Sequence, residues 1–301
     1  MRANDIIQLL GDQVRLVVGD LDREIRGASS VSEFSDGSLT FCTIDILCER
    51  GVLNDCTIIT PASFFPAKTK GENTYIVVDD ARLCFARALK LFVADKDVAD
   101  KDAPGKDSTA KIADSGFIHE SVVVGPHCII GKCSIGEGSC IGAHTVIGDG
   151  AFIGKNVKIR EFCSVGCPGF GFVRNENGSL ERMLQIGRTV IEDDVELFPY
   201  VNVDRGTLHE TRIERGSKID HYSHIGHNTT VGRDCLITAH VVLCGGSKVG
   251  SRSFLGVGSV LRQDIIVGND VEIGIGSVVT KNILSGSIAY GNPCKIIGRK
   301  E

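Results

Sequence analysis

The stretch Ile213-Glu-Arg-Gly-Ser-Lys-Ile219-Asp-His-Tyr-Ser-His-Ile225-Gly-His-Asn-Thr-Thr-Val231 carries an aliphatic residue at every sixth position. The spacing continues without a miss to Val279, through Ile213, Ile219, Ile225, Val231, Ile237, Leu243, Val249, Leu255, Leu261, Val267, Ile273 and Val279. An α-helix repeats every ~3.6 residues and a strand every ~2, so neither explains a period of six. A hexapeptide repeat is typical of a parallel β-helix, in which each coil stacks its apolar positions on the coil below.

The repeat also extends towards the N-terminus. It begins near Ile118 and is regular over Ile135, Ile141, Ile147, Ile153, Ile159 and Val165. It then fails over 167–184, where turn-forming residues surround Phe170 and Phe172. We interpret this stretch as a loop inserted into one coil, and we favour a functional role over a tolerated surface insertion. After it, Val195, Val201 and Thr207 are predicted to resume the register that leads into Ile213.

The chain divides into four segments by composition. Residues 1–95 contain three short β-branched runs and a helix-like stretch at 79–92, which predict a small α/β domain. Residues 96–116 are charged and rich in helix breakers, and are predicted to be a linker. Residues 117–285 are predicted to form the β-helix, and 286–301 a short tail. The fold class is therefore mainly β, with a small N-terminal α/β domain.

Bulk composition excludes several classes of function. Thirty-three basic against 38 acidic residues, with no basic tract, argue against a nucleic-acid partner. No apolar run is long enough to span a membrane and no signal peptide is recognisable, which favours the cytoplasm. The 12 cysteines include no CxxC pair, so reduced structural thiols are favoured over zinc ligands. No P-loop, dinucleotide fingerprint or G-x-S-x-G motif occurs.

The repeat also predicts which distant residues meet. If three hexapeptides make one coil, residues 18 apart stack, so that His209 lies under His227 and His227 under Gly245. A histidine beside a glycine amide can act as a base next to an oxyanion-binding N–H. Asp220, about one face away, could fix the tautomer of that imidazole.

Two other interpretations of the histidines remain open. They could be ordinary exposed turn residues. Alternatively, His209, His221, His224 and His227 could bind a metal ion, although their spacing fits no known ligand pattern, and we predict no metal site.

Five blocks of sequence, taken together and in order, match the pattern of a known enzyme family. Phe170-Gly-Phe, Gln185-Ile-Gly-Arg-Thr-Val-Ile, Val203-Asp-Arg-Gly-Thr-Leu-His-Glu-Thr, Ile225-Gly-His-Asn and Cys244-Gly-Gly-Ser-Lys-Val-Gly occur in that order. They resemble the UDP-3-O-acylglucosamine N-acyltransferases of lipid A synthesis. Gly37-Ser-Leu-Thr-Phe41 and Val77-Val-Asp-Asp-Ala-Arg resemble that family's uridine-binding domain, which makes residues 1–95 a candidate nucleotide-binding domain.

The resemblance implies a left-handed parallel β-helix that assembles as a homotrimer with active sites between subunits. It implies transfer of an acyl group from a thioester, acyl-ACP or acyl-CoA, to the amine of a nucleotide-linked amino sugar. No bound cofactor is implied, because the acyl donor is a co-substrate. The family's general base falls on His227 and its oxyanion-hole amide on Gly245. Phe41 would stack on the nucleotide base.

The remaining predicted substrate contacts cluster around these positions. We expect the loop and the neighbouring turns to line the substrate, through Phe170, Phe172, His209, His221, His224 and Asn228. Where the family has an Asn and a Tyr against uracil, this chain has Ile44 and Leu47. This chain has Asp264 where the family has a second histidine, and His221 where the family has an Asn before the general base.

The C-terminus leaves alternative functions open. Tyr290-Gly-Asn-Pro-Cys-Lys-Ile-Ile resembles the end of coenzyme-A-dependent sugar acetyltransferases, and no counterpart of the family's C-terminal helices follows. An acetyl-CoA-dependent acetyltransferase of nucleotide amino sugars is therefore the alternative enzyme. A non-catalytic β-helix scaffold or nucleotide-sugar sensor is the alternative of another class.

Overall fold

A computed structural model of the chain describes residues 1–30, 35–42, 55–64, 72–92 and 104–300. Ile44 and Leu47 lie outside the described residues. The chain divides into two compact units, Met1–Lys101 and Asp102–Glu301.

The first unit is a small α/β sheet domain. Its sheet has the order β1-β5-β4-β3-β2, with β1 antiparallel to β5 and the other pairs parallel. Asp80 caps the second helix by accepting a hydrogen bond from the Leu83 N–H at 2.9 Å. The elements are α1 (Ala3–Leu10), β1 (Val14–Val18), β2 (Gly27–Ala28), β3 (Ser38–Phe41), β4 (Thr57–Pro61), β5 (Thr74–Val78) and α2 (Ala81–Leu89), with 3₁₀ turns at Gly11–Gln13 and Ala62–Phe64.

The second unit is a parallel β-helix with three faces, as the hexapeptide repeat predicts, and it is left-handed, as the resemblance implies. The first face contains β6 (Gly105–Lys106), β9 (Val123–Val124), β12 (Cys140–Ile141), β15 (Lys158–Ile159), β20 (Glu196–Leu197), β23 (Lys218–Ile219), β26 (Leu236–Ile237), β29 (Phe254–Leu255), β32 (Glu272–Ile273), β34 (Ser287–Tyr290) and β35 (Lys295–Arg299). The second contains β7 (Lys111–Ile112), β10 (Ile129–Ile130), β13 (Val146–Ile147), β16 (Ser164–Cys167), β21 (Asn202–Asp204), β24 (His224–Ile225), β27 (Val242–Leu243), β30 (Val260–Leu261) and β33 (Val278–Val279). The third contains β8 (Phe117–Ile118), β11 (Ser134–Ile135), β14 (Phe152–Ile153), β19 (Arg188–Ile191), β22 (Glu210–Ile213), β25 (Thr230–Val231), β28 (Lys248–Val249) and β31 (Ile266–Val267).

The repeated aliphatic residues form the core of this β-helix. All twelve that set the period between Ile213 and Val279 are at most 2% exposed. Ile225 pairs with Leu243, and Leu243 with Leu261, so residues 18 apart do stack. Full burial of one aliphatic side chain contributes about 1.5–3 kcal/mol, which explains why aliphatic residues occupy this position in every hexapeptide from Ile213 to Val279.

The predicted register before Ile213 is wrong. Val203, not Val201, pairs with Ile225, and Val165 pairs with Val203. Two successive coils are therefore enlarged, and both enlargements lie at the turn between the second and third faces, which we call the second corner. One is the 167–184 region, whose tip is an antiparallel hairpin of β17 (Phe172–Arg174) and β18 (Leu180–Arg182). The other is a four-residue extension between Val203 and Ile213. Thr207 belongs to this extension, and it was predicted to be in register only because it lies six residues before Ile213.

The ends of the β-helix also differ from the predicted segments. The described part of the predicted linker, 104–116, already carries β6 and β7, which pair in parallel with β9 and β10. The predicted tail, 286–301, carries β34 and β35; β34 pairs with β32, and β35 closes antiparallel on β34. Charged and breaker-rich residues fit these positions because edge coils need fewer apolar side chains, and pairing satisfies their backbone groups.

A stack of six aromatic rings runs along the turn between the first and second faces, the first corner. Successive ring centroids lie 4.8–5.1 Å apart. Every member has a left-handed backbone, with φ of 58–65°. We call this set the aromatic ladder: His127, His144, Phe162, Tyr200, Tyr222 and His240. It ends where Gly258 takes the same turn position.

Of the helices in the described ranges, none is long and apolar enough to cross a membrane.

Candidate active site at the second corner

His227 and Gly245 meet at the second corner. A methyl group at position 245 would lie 2.7 Å from Nε2 and 2.6 Å from Cε1 of His227, so the imidazole edge lies directly against the Gly245 backbone. The Gly246 N–H donates to the His227 carbonyl at 2.8 Å and ties the two turns together. Only glycine allows this approach, because any Cβ would overlap the ring.

The donor side of this pair is available for a ligand. Within the described residues, the Gly245 N–H has no hydrogen-bond acceptor, and its carbonyl accepts from the Asp264 N–H at 3.1 Å. Asp264 is exposed at the same corner one coil further on. The position of the family's second histidine therefore lies next to the predicted pair.

The inserted loop reaches His227 from the opposite side. A Cβ at Gly169 would lie 3.0 Å from Cβ of His227 and 3.1 Å from Oδ2 of Asp204. Gly169 is therefore held between these two side chains. The stacking of two enlarged coils at one corner brings the loop to the histidine, which sequence spacing alone did not show.

Asp204 belongs to a polar cluster on the second face. Asp204 is 6% exposed, and its carboxylate accepts from Asn202 Nδ2 at 2.8 Å. The same Asn202 amide lies 2.9 Å from Nδ1 of His224, whose Nε2 is 3.7 Å from Asp204. The sequence reasoning missed Asp204 as a site residue, although it stands in the Val203-Asp-Arg-Gly block that carries the resemblance.

Asn228 fixes the other side of the His227 ring. Its Nδ2 lies 3.0 Å from His227 Nδ1 and donates to Thr207 Oγ1 at 3.0 Å, and its Oδ1 accepts from the Thr207 N–H at 2.8 Å. The Thr207 hydroxyl donates to Gln185 Oε1 at 2.9 Å. Asn228 was a predicted site residue, whereas Thr207 and Gln185 were missed. They meet it because both belong to the enlarged coils.

The predicted role of Asp220 is wrong. Its Oδ1 accepts from the His221 N–H at 2.8 Å and lies 2.6 Å from His221 Nδ1, so it orients His221 and not His227. Burial alone would raise the pKa of Asp220, but the hydrogen bonds from His221 lower it below its ordinary value. Seven residues along a six-residue repeat reach the next corner, so Asp220 and His221 lie at the first corner, beside the aromatic ladder.

His209 also lies elsewhere than predicted. It belongs to the four-residue extension and lines a cavity of about 730 Å³, together with Asp149, Gly150, Ile186, Gly187, Arg188, Arg205, Leu208 and Glu210. Thr211, not His209, meets the Asn228 turn, through a 2.9 Å bond from the Asn228 N–H to Oγ1. The four histidines considered for a metal are thus dispersed. Across the described residues, no group of three or more His, Cys, Asp or Glu side chains could hold an ion.

A charged network borders this cavity on the third face. Arg212 contacts Glu192 and Glu210, and Arg188 also binds Glu210 at 2.9 Å. Burial would raise the pKa of Glu210, but the hydrogen bonds from both guanidinium groups lower it. The network joins side chains of β19 and β22 beside the second corner.

The predicted aromatic contacts are divided between two places. Phe170 is 84% exposed and Phe172 is 36% exposed; their centroids are 5.1 Å apart, and Arg182 lies over the Phe172 ring at 4.7 Å. A smaller cavity of about 330 Å³ lies at the base of the loop, lined by Pro168, Arg182, Met183, Leu184, Gln185 and Ile186.

Phe41, in the first unit, packs on Phe85 with ring centroids 4.6 Å apart.

Comparison with known proteins supports the resemblance. The family model described as bacterial transferase hexapeptide (six repeats) matches residues 210–245. The UDP-3-O-acylglucosamine N-acyltransferase of Rhodopseudomonas palustris strain TIE-1 is 42% identical over 113 residues, 38% of this chain and 29% of the relative. The enzyme of that name from Sinorhizobium fredii is 41% identical over 95 residues, 32% of this chain and 27% of the relative. The matched part therefore spans less than a third of the length of these relatives.

Solved structures extend the likeness over more of the chain. The UDP-N-acetylglucosamine acyltransferase of Francisella novicida is 25% identical with a TM-score of 0.60, over 65% of this chain and 70% of that one. LpxA from Acinetobacter baumannii is 26% identical with a TM-score of 0.56, over 64% and 73% of the two chains. The β-helix that carries the second corner is thus similar to acyltransferases of UDP-linked glucosamines, in sequence over part of its length and in fold over most of it.

Proposed function

We propose that this protein is an N-acyltransferase that moves an acyl group from a thioester, acyl-ACP or acyl-CoA, to the amine of a nucleotide-linked amino sugar, in the synthesis of lipid A or another surface glycan. The observation that carries the proposal is the contact between His227 and the Gly245 backbone. The partial similarity to UDP-3-O-acylglucosamine N-acyltransferases supports the substrate class.

The chemistry follows from what the two groups offer. The sugar amine attacks the thioester carbon, a C–N bond forms, and the carbonyl oxygen becomes anionic. The Gly245 N–H donates to that oxygen, a contribution of roughly 3 kcal/mol to the transition state in comparable sites. The nitrogen loses a proton to His227, and the C–S bond breaks to release the thiol.

Replacement of His227 tests the assignment directly. His227→Ala should reduce turnover by at least ~100-fold, because the step loses its base. Circular dichroism and the oligomeric state should be unchanged, since the ring is only half-buried. His240→Asn, at the end of the aromatic ladder, is the control, because Asn tolerates the left-handed backbone there. Near-normal turnover in His227→Ala would contradict the assignment.

Donor and acceptor require a separate experiment. A mass-spectrometric screen would combine amino-sugar nucleotides with acyl-CoA and acyl-ACP donors of different chain length. Amide formation with a long acyl-ACP supports the lipid A enzyme, and turnover restricted to acetyl-CoA supports the acetyltransferase. Tight nucleotide-sugar binding without consumption of any thioester would overturn the enzymatic proposal in favour of a sensor.

The proposed assembly is a homotrimer through the second face. In residues 104–300, the only Asp, Glu, Lys or Arg in the strands of that face from β10 to β33 is Asp204, which is 6% exposed at the end of β21. The other outward side chains are uncharged or histidine: Ile129, Val146, Ser164, Asn202, His224, Val242, Val260 and Val278. Charge depletion is typical of an interface core. Val260→Glu should give monomers by light scattering, and Leu236→Glu on the first face should leave the trimer intact. Trimers in both variants would contradict this interface.

A cytoplasmic location is part of the proposal. Cys128, Cys163 and Cys235 are buried thiols, which a reducing compartment preserves. Fractionation of cells that produce the protein would check it.

A further inference from the structure

A directional chain of hydrogen bonds leads from the base of the inserted loop to the imidazole of His227. Its first member, Gln185, is 7% exposed and accepts from the Thr207 hydroxyl at 2.9 Å. Thr207 Oγ1 in turn accepts from Asn228 Nδ2 at 3.0 Å, and that amide nitrogen lies 3.0 Å from His227 Nδ1.

The direction of the chain is determined by one backbone group. The Thr207 N–H can only donate, and it does so to the Asn228 side chain at 2.8 Å, which must therefore present its oxygen there. The amide nitrogen of Asn228 consequently faces both Thr207 Oγ1 and His227 Nδ1. Nδ1 of His227 must accept this hydrogen bond, so the neutral ring carries its own hydrogen on Nε2.

We propose that Gln185, Thr207 and Asn228 are positioning residues that hold His227 in the Nε2–H tautomer until substrate binds. The inference rests on the proposed function, in which His227 takes a proton from the amine. Nε2 can accept that proton only after its own hydrogen has moved to Nδ1, and this requires the Asn228 amide to turn away. Proton acceptance is thereby coupled to the chain that begins at the inserted loop.

The backbone conformation supports this role for Asn228. Its φ is +60°, a region that Asn and Asp adopt far more readily than other side chains. The same property provides a matched variant. In Asn228→Asp the Thr207 N–H still finds an oxygen, but the second oxygen accepts from His227 and cannot donate to it.

Nuclear magnetic resonance on protein with ¹⁵N-labelled histidine tests the tautomer without substrate. The His227 signal is assigned by its loss in His227→Gln. The proposal expects the Nε2–H pattern in the native protein and in Thr207→Ser. It expects the Nδ1–H pattern in Asn228→Asp. An Nδ1–H ring in the native protein would overturn the inference, whatever the enzyme acts on.

Kinetics provide an independent test. Thr207→Val breaks the chain but leaves the substrate contacts. The Asn228 amide then turns away from Nδ1 more easily, so kcat should rise about three- to tenfold, as for one lost hydrogen bond, with KM little changed. Thr207→Ser should keep the native kcat. In Asn228→Asp the carboxylate favours the protonated ring, so the acid limb of the kcat/KM profile should move to higher pH. Equal kcat in Thr207→Val and the native protein, or an unmoved acid limb, would overturn the inference. Failure to consume any thioester would instead count against the proposed function.

Discussion

The backbone of Gly245 lies against the imidazole edge of His227, one coil away and 18 residues distant in sequence, with room for a hydrogen atom but not for a methyl group. This contact places an N–H that has no acceptor among the described residues next to an imidazole ring at the second corner.

Gly245→Ala should separate these two groups. The added Cβ would lie 2.7 Å from Nε2, so the ring must move, and a displacement of ~1 Å from the working geometry costs about 100-fold in rate. We expect kcat/KM to fall by about that factor with the melting temperature little changed. Gly298→Ala, where a Cβ meets open space, is the control. Full activity in Gly245→Ala would show that the contact is not needed.

Gly169→Ala should loosen the inserted loop from the site. Its Cβ would lie 3.0 Å from His227 Cβ and 3.1 Å from the Asp204 carboxylate, within buried surroundings that give little. We expect about a tenfold loss of kcat/KM, measured at saturating donor. Gly178→Asn, at the open hairpin turn with φ of +78°, alters the same loop without touching His227 and should retain activity. Equal losses in both variants would argue against a specific contact.

Tyr222→Asn should weaken the aromatic ladder without straining its turn. Asn tolerates the φ of +60° at this position, but the stacks on Tyr200 and His240 are lost. Aromatic pairs contribute about 0.5–1.5 kcal/mol each, so the free energy of unfolding should fall by about 1–3 kcal/mol. Urea titration measures this. An unchanged midpoint would mean that the ladder does not stabilise the coil.

Alkaline pH should destabilise the β-helix through its buried thiols. Burial raises the pKa of Cys163 to about 12 and that of Cys133 to about 11, against 9.0 for the free group. Above pH 9 the unfolded chain loses protons that the folded chain keeps, so the free energy of unfolding falls as pH rises towards these values, by about 1.4 kcal/mol per unit for each thiol.

The control for this pH dependence removes one thiol. Cys163→Ala should show a shallower decline between pH 9 and 11 in urea titrations. An identical slope in the native protein and the variant would mean that Cys163 does not stay protonated in the fold.

Much of the β-helix was predictable because its period is a local property. From Ile213 to Val279, the aliphatic residue at every sixth position predicts by itself that the position is buried. Three hexapeptides per coil make 18 residues, which predicts that His227 stacks on Gly245. Counting failed where coils are enlarged. Val195, Val201 and Thr207 are spaced by six up to Ile213, yet the residues that stack on the repeated aliphatic position are Leu197 and Val203, because a four-residue extension restores an apparent multiple of six. Val195 and Val201 are also buried, two residues before that position.

The sequence by itself determined the β-helix and the pairing of His227 with Gly245, since both follow from a uniform repeat along one chain. Only the tertiary structure decided what surrounds that pair. In the structure, Asp220 lies at the first corner and His209 lines a separate cavity, so neither contacts His227 as predicted. Thr207 and Gln185 instead form the hydrogen bonds that lead to Asn228. The physical reason is that inserted residues do not follow the six-residue period. Packing and hydrogen bonds across coils therefore set the positions of their side chains, and spacing along the sequence does not.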